Sequence, residues 1–379
     1  FLNYSTCSLF ARVMKSVLIK NIKALYGIIN DASIQKKSGT EMSHLDSIEN
    51  AYLIIKDGII TDFGSMNSLP EISLPSIDAN NGYVLPCFID SHTHIVFATS
   101  RENEFVDKIK GKSYAEIAAC GGGILNSAKA IANATEDDLY NSAYKRLEEV
   151  IQLGTGAIEI KSGYGLSVEA ELKMLRVIKK LKANSPIPIK ATFLGAHTYP
   201  IAYKENHQGY IDEIIQQMLP VIAKEQLADY IDVFCETGFF SKEETETICK
   251  AGIEYGLKPK IHANQLHLSG GTEIGVQLNA ISVDHLETMD ETAIATLAKS
   301  NTIGTLLPTA AFFLRMHYQP ARELINAGCA IALASDYNPG SSPSGNMNLV
   351  VAMSCIQMKM LPEEAINAAT INGAYAMEL

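Results

Sequence analysis

Pro86-Cys87-Phe88-Ile89-Asp90-Ser91-His92-Thr93-His94 is the stretch that decides how this chain of 379 residues is read. An apolar run ends at Asp90, and two histidines follow with one residue between them. Residues i and i+2 of an extended segment point to the same side, so His92 and His94 can grip one ion together. A pair of solvent-facing histidines is the plainer alternative, and the motif gains force only if other strands also end in ligands. Upstream, residues 16–82 carry runs such as Ala51-Tyr52-Leu53-Ile54-Ile55 and Ile59-Ile60-Thr61-Asp62-Phe63, divided by turn signals at Asp57-Gly58 and Gly64. They predict a small antiparallel sheet domain. From Tyr83 onward, compact apolar strands alternate with amphipathic helical stretches, the pattern of parallel βα units.

Strand candidates in that second region fall at 84–91, 156–161, 187–194, 230–235, 258–263, 280–285, 303–308 and 329–335, with helices between them such as 135–152 and 241–256. Eight βα repeats closing on themselves make a TIM barrel, whose chemistry sits at the C-terminal ends of the strands. An open doubly wound sheet would also use eight strands, but no Gly-x-Gly-x-x-Gly fingerprint follows the first one. Gly121-Gly122-Gly123 lies in a long loop and reads as a mobile active-site segment. The expected organisation is an upstream extension over 1–13 before Met14, a β-rich domain over 14–82 and the barrel over 83–379.

Composition narrows the function classes. Apolar residues make up 47% and charged ones 19%, a globular profile. A net charge of −11 disfavours nonspecific binding to nucleic acid or anionic lipid and points to a small-molecule partner. No apolar run approaches the ~20 residues of a membrane span. The seven cysteines are scattered singly, without zinc-type pairing or a disulfide framework, which suits a reduced, cytoplasmic setting.

Other strand ends supply further ligand types: Lys260-Ile261-His262, Asp284-His285 and Ala334-Ser335-Asp336. Each has a structural reading, since a buried histidine often bonds a carbonyl and an aspartate after a strand often caps a helix. Together they converge on one chemistry. Three imidazoles and a carboxylate suit Zn²⁺, and the same set accepts Fe²⁺ or Mn²⁺. An ion with an open position lowers the pKa of its water to about 7, making hydroxide available as a nucleophile. A carboxylate beside it, Asp336, would carry the proton, with His285 as a donor to the same water or to the developing oxyanion.

The Pro86–His94 run resembles the first-strand motif of the amidohydrolase superfamily. Its continuation Ile95-Val96-Phe97-Ala98-Thr99-Ser100-Arg101-Glu102-Asn103-Glu104-Phe105 resembles the imidazolonepropionase family in particular. Further matches are Ser113-Tyr114-Ala115-Glu116-Ile117, Glu159-Ile160-Lys161-Ser162-Gly163-Tyr164-Gly165-Leu166, Leu194-Gly195-Ala196-His197 and Ser335-Asp336-Tyr337-Asn338-Pro339-Gly340-Ser341. The resemblance implies a (β/α)₈ barrel with a small β-sandwich-like domain. It also implies hydrolytic ring opening of 4-imidazolone-5-propanoate in histidine degradation. One divalent ion per chain, Zn²⁺ or Fe²⁺/Fe³⁺, would be held by His92, His94, His262 and Asp336. Substrate contacts would fall to Arg101, Tyr114, Tyr164, His197, Gln265, His285, Asn338, Gly340 and Ser341, and a homodimer is expected. Arg101 makes physical sense, because a guanidinium can hold the substrate's carboxylate tail through two parallel hydrogen bonds.

Two departures stand out. Gln265 occupies a position where many relatives carry Glu; an amide can bond a ring but cannot take up a proton, so general-base duty rests on Asp336. The chain stops at Met377-Glu378-Leu379 where relatives continue, so the small sheet is expected to lack C-terminal strands. Competing readings are another hydrolase or aminohydrolase of the same superfamily and a noncatalytic metal-binding barrel. Glu236 stands where a carboxylated lysine of a binuclear site would be, which favours one ion.

Overall fold

In a computed structural model of the chain, residues 16–31, 33–111 and 123–379 are described. They form two compact units, one comprising the residues up to Ile34 with His44–Pro86 and the other Gln35–Ser43 with Cys87–Leu379.

The smaller unit is a five-stranded sheet of β1 (Val17–Tyr26), β2 (Ser47–Lys56), β3 (Ile59–Ser65), β4 (Ser76–Asp78) and β5 (Tyr83–Val84). Strand alternation sends Ala51 and Leu53 of β2 to one face with Ile22 and Leu25, and Tyr52 and Ile54 to the other with Leu18. The expected antiparallel pairing holds for β1, β2 and β3 only. β4 and β5 add to β1 in parallel. The segment after β3 crosses one face of the sheet, where Met66, Leu69, Ile72 and Leu74 cover it, and so returns the chain in the direction of β1.

The larger unit contains eight parallel strands paired in sequence order: β6 (Phe88–Asp90), β7 (Thr155–Lys161), β8 (Ile189–Ala196), β9 (Tyr230–Cys235), β10 (Lys258–Ala263), β11 (Ser282–His285), β12 (Ile303–Leu306) and β13 (Ile331–Leu333). Each overlaps its expected span. Closure comes just beyond the strand ends, where Thr93 and Tyr337 form a parallel bridge and His94 N–H donates to the Tyr337 carbonyl at 2.9 Å. The outer helices dock through apolar stripes. Glu136–Gln152 starts at Thr135, which forms a capping box with Asp138, and buries Leu139, Ala143, Leu147 and Val150. Lys242–Glu254 starts at Ser241 in the same way and lays Gly252 on β9, where a Cβ would stand 2.5 Å from Ile231. Met42, in the short stretch that belongs to this unit, is fully buried and its carbonyl accepts from Asn367 at 2.8 Å. No helix among the described residues is long and apolar enough to cross a membrane.

Candidate active site

The barrel interior departs from the usual apolar filling. Alternation along β7 directs Ile158 and Ile160 into the apolar core and turns Glu159 and Lys161 to the opposite side; β10 does the same with Ile261 against Lys260 and His262. Glu159, Lys161, Asp232, Lys260 and Asp284 are all fully buried. Lys161 Nζ lies 2.7 Å from Glu159, 2.8 Å from Asp232 and 3.5 Å from Asp284, and Lys260 Nζ also donates to Glu159. Three carboxylates face two ammonium groups, which leaves an excess negative charge below the strand ends. Charges taken out of water persist only when paired and hydrogen-bonded in this way.

That network orients the histidines above it. Burial pushes the Asp284 carboxyl up, but Lys161 and Lys260 outweigh burial and hold it below its ordinary value, so it is ionised and can only accept. His92 Nδ1 therefore carries the proton of its 2.7 Å bond to Asp284. His262 Nδ1 meets Asp232 at 2.9 Å, and Asp232 also accepts from the His262 backbone N–H at 3.0 Å. Each ring is left with Nε2 free to face the barrel mouth, the arrangement that tunes metal-ligating histidines. His92 Nε2 and His94 Nδ1 are buried without a hydrogen-bond partner. Burial holds His92, His94 and His262 well below the usual histidine range, as neutral imidazoles with lone pairs to offer.

The ligand atoms gather accordingly. His92, His94 and Asp336 bring one atom each within 4.8 Å of one another, and so do His92, His262 and His285. Asp336 Oδ1 stands 3.6 Å from Nε2 of both His92 and His94. An orphaned buried nitrogen, His92 Nε2, with a second neutral imidazole and a carboxylate beside it is what a divalent cation would satisfy, so the residues present fit a metal. The backbone is shaped for this: Asn264, His285, Leu286 and Asp336 all have positive φ, at +52°, +86°, +64° and +52°. Such left-handed conformations in non-glycine residues cluster at functional sites. Strand parity would put His285 on the side of Val283; its positive φ instead brings its ring 5.2 Å from that of His262. Burial acts to lower the His285 pKa, but Glu287, 3.4 Å from Nδ1, overrides it together with Asp336 and Asp284 and raises it. Burial pushes Asp336 up to about 6, against the pull of His285, Asn338 and Ser341.

A cavity of about 580 Å³ opens beside the cluster, with Arg101, Tyr164, His197, Gln265, Asn338, Gly340 and Ser341 in its wall. It meets the cluster directly: the His197 ring stacks 5.6 Å from that of His94, and Ser341 Oγ donates to Asp336 at 3.3 Å. Asn338 ties the loop by donating to the Asp336 carbonyl at 2.7 Å and accepting from Gly340 and Ser341 N–H at 2.8 Å. Arg101 packs on Gly340, where any Cβ would collide with its guanidinium. Its Nε donates to Glu104 at 2.8 Å, and the other oxygen of Glu104 accepts the Gly123 N–H at 2.9 Å. Tyr114, Gly121 and Gly122 lie outside the described residues, as does the stretch 1–13.

The sequence reading missed the opposite wall, made of Phe105, Ile124, Phe234, Phe239, Leu266 and Phe313. It also missed the Lys161 and Lys260 network. The signal for that network was present as charges spaced by two within otherwise apolar strands, Glu159 with Lys161 and Lys260 with His262. Glu236 is buried and clamps the loop after β10, accepting from Leu266 N–H at 2.8 Å and His267 N–H at 3.3 Å.

A model of the amidohydrolase family matches residues 83–379. The imidazolonepropionase of Flavobacterium johnsoniae is 62% identical over 363 residues, covering 96% of this chain and 88% of that protein. That of Thermoanaerobacter pseudethanolicus is 43% identical over 363 residues, covering 96% and 86%. Among solved structures, 5-methylcytosine deaminase from Klebsiella pneumoniae superposes with a TM-score of 0.70 at 16% identity, covering 96% of this chain and 86% of that one. Guanine deaminase from C. acetobutylicum gives 0.67 at 16%, covering 95% and 86%. At such identities the structural likeness speaks for the fold alone.

Proposed function

The chain belongs to the amidohydrolase family, and within it to the imidazolonepropionases, and from that premise we propose that it opens the ring of 4-imidazolone-5-propanoate with water to give N-formimidoyl-L-glutamate. The observation that carries the reading is one cavity with a guanidinium, Arg101, in its wall and a buried histidine and aspartate cluster beside it. A ring bearing a carboxylate tail needs both ends.

His92, His94, His262 and Asp336 would hold one divalent ion, zinc or iron, as neutral imidazoles and a carboxylate suit either. When bound, such an ion polarises a carbonyl and makes water acidic enough to attack near neutral pH. The remaining steps fall to side chains. Arg101 anchors the propanoate and Tyr164 closes the wall beside it. The Gln265 amide can bond the ring while remaining proton-neutral. Water adds to the ring carbonyl carbon, the carbon–nitrogen bond breaks, and Asp336 carries the water's proton to the departing nitrogen. A carboxylate beside the reacting water, 3.6 Å from both the His92 and His94 rings, is placed for both halves of that transfer. His285, with its Nδ1 turned to Glu287, offers a donor where the oxyanion develops. The product carries a second carboxylate. A cytoplasmic setting fits the described cysteines, Cys87, Cys235, Cys249, Cys329 and Cys355, all free thiols.

Incubation with freshly made 4-imidazolone-5-propanoate tests the reading. The expected product is heavier by one water, with no ammonia released. Release of ammonia from an aminated heterocycle, with the imidazolone left intact, would assign the site to deamination instead.

A further inference from the structure

A second guanidinium lines this cavity, and the ring-opening steps do not employ it. Arg315 lines the cavity yet is exposed to solvent, which places it at the mouth. The other described arginines are all engaged: Arg101 with Glu104, Arg146 with the carbonyls of Ile95 and Phe97, Arg176 with Glu225 and Arg322 with Glu364. Among the described residues the Arg315 side chain has no such partner.

Its backbone is fixed in an unusual way. Arg315 caps the helix Pro308–Leu314 at φ +57° and ψ +40°, with its N–H on the carbonyls of Ala311 and Phe312. Glycine is the usual residue at a left-handed helix end. An arginine there is placed by the turn rather than left to wander on a regular helix. The charged residues among the described cavity lining are Arg101 and Arg315, with no aspartate or glutamate, in a chain whose net charge is −11. A cationic side chain at the mouth of a cavity in an acidic protein favours the entry of anions. Arg101 complements this only in part, because Glu104 already takes its Nε and Nη2 donors. An incoming carboxylate therefore finds an unoccupied fork first at Arg315.

We propose that Arg315 is a second carboxylate-recognising residue of this pocket, meeting the anionic substrate at the mouth and passing it inward to Arg101. The proposal rests on the ring-opening reading for the identity of the substrate, and its charge argument requires only an anionic ligand.

The test compares the wild type with Arg315→Gln and with the charge-preserving Arg315→Lys. Turnover of 4-imidazolone-5-propanoate is measured across a range of salt concentrations. Binding of imidazol-4-yl-propanoate is compared with that of its uncharged propanamide. Arg315→Gln is expected to raise KM about tenfold at low salt with kcat changed less than twofold, and to flatten the salt dependence of kcat/KM. It should weaken binding of the acid but not of the amide, and Arg315→Lys should recover most of the loss. Unchanged KM and acid binding in the glutamine variant, or an equal loss for acid and amide, would overturn the proposal. A wild type that leaves the imidazolone intact would refute the ring-opening reading, and the comparison of acid with amide would still decide the role of Arg315.

Discussion

Asp336 donates its backbone N–H to the carbonyl oxygen of His92 at 3.0 Å, so one of the hydrogen bonds that close the barrel between its last and first strands also joins two members of the histidine and aspartate cluster. Barrel closure and site assembly are one structural event. Asp90 reinforces it from below, accepting from the Ser335 N–H at 3.0 Å and the Ser335 hydroxyl at 2.6 Å.

An ion bound across that seam should therefore stabilise the fold as well as the chemistry. A ligand present at a thousand times its Kd adds about 4 kcal/mol to the folded state. Metal-stripped protein should melt several degrees lower than the Zn²⁺-loaded form, and the difference should grow with free metal. Identical melting of the two forms would detach the cluster from metal binding.

Asp284→Asn tests the support beneath the ligands. The amide can still meet His92 Nδ1, but it no longer fixes which nitrogen carries the proton, and it removes a negative charge close to Lys161. Loss of such an orienting partner lowers metal affinity by about 10–100-fold. Competition against a chelator measures it, and an unchanged affinity would show that Asp284 serves the fold alone.

Arg101→Met should weaken handling of 4-imidazolone-5-propanoate while sparing an analogue without the carboxylate. Deleting one partner of a desolvated charge pair costs about 2–5 kcal/mol, so the preference for the acid should fall by more than tenfold. Bound metal should be retained. Equal losses on both compounds would make the pair with Glu104 a structural strut.

Acid should destabilise the metal-free protein in a definite window. Burial lowers the His197 pKa from 6.5 to about 4, so the unfolded chain takes up a proton that the folded one refuses. The stability contributed by the neutral ring is present above pH 6.5 and is lost as pH falls toward 4, by an amount of the order of 3 kcal/mol. His92, His94 and His262 are depressed in the same sense. Denaturant midpoints at pH 7 and 4.5 read the slope, which His197→Gln should reduce.

The barrel was legible in the sequence because each strand is an apolar run between helices whose caps, such as Thr135 and Ser241, announce themselves. The members of the histidine and aspartate cluster were legible because they fall at strand ends. The ion network was not, since pairing Lys161 with Asp232 and Asp284 depends on which strands are neighbours, a property of closure rather than of any local pattern. The apolar wall was hidden for the same reason: Phe105 and Phe313 stack at 5.0 Å although some two hundred positions separate them. β4 and β5 run parallel to β1 because of a crossover whose path no turn signal specifies.

On the proposed function, one metal ion held at the His92 and Asp336 seam would drive opening of the imidazolone ring. Titrating metal-free protein with Zn²⁺ or Fe²⁺ while following the ultraviolet absorbance of 4-imidazolone-5-propanoate tests it most directly. Ring opening should rise from background and saturate at one ion per chain. Full activity without metal, or activity appearing only with a second equivalent, would contradict it.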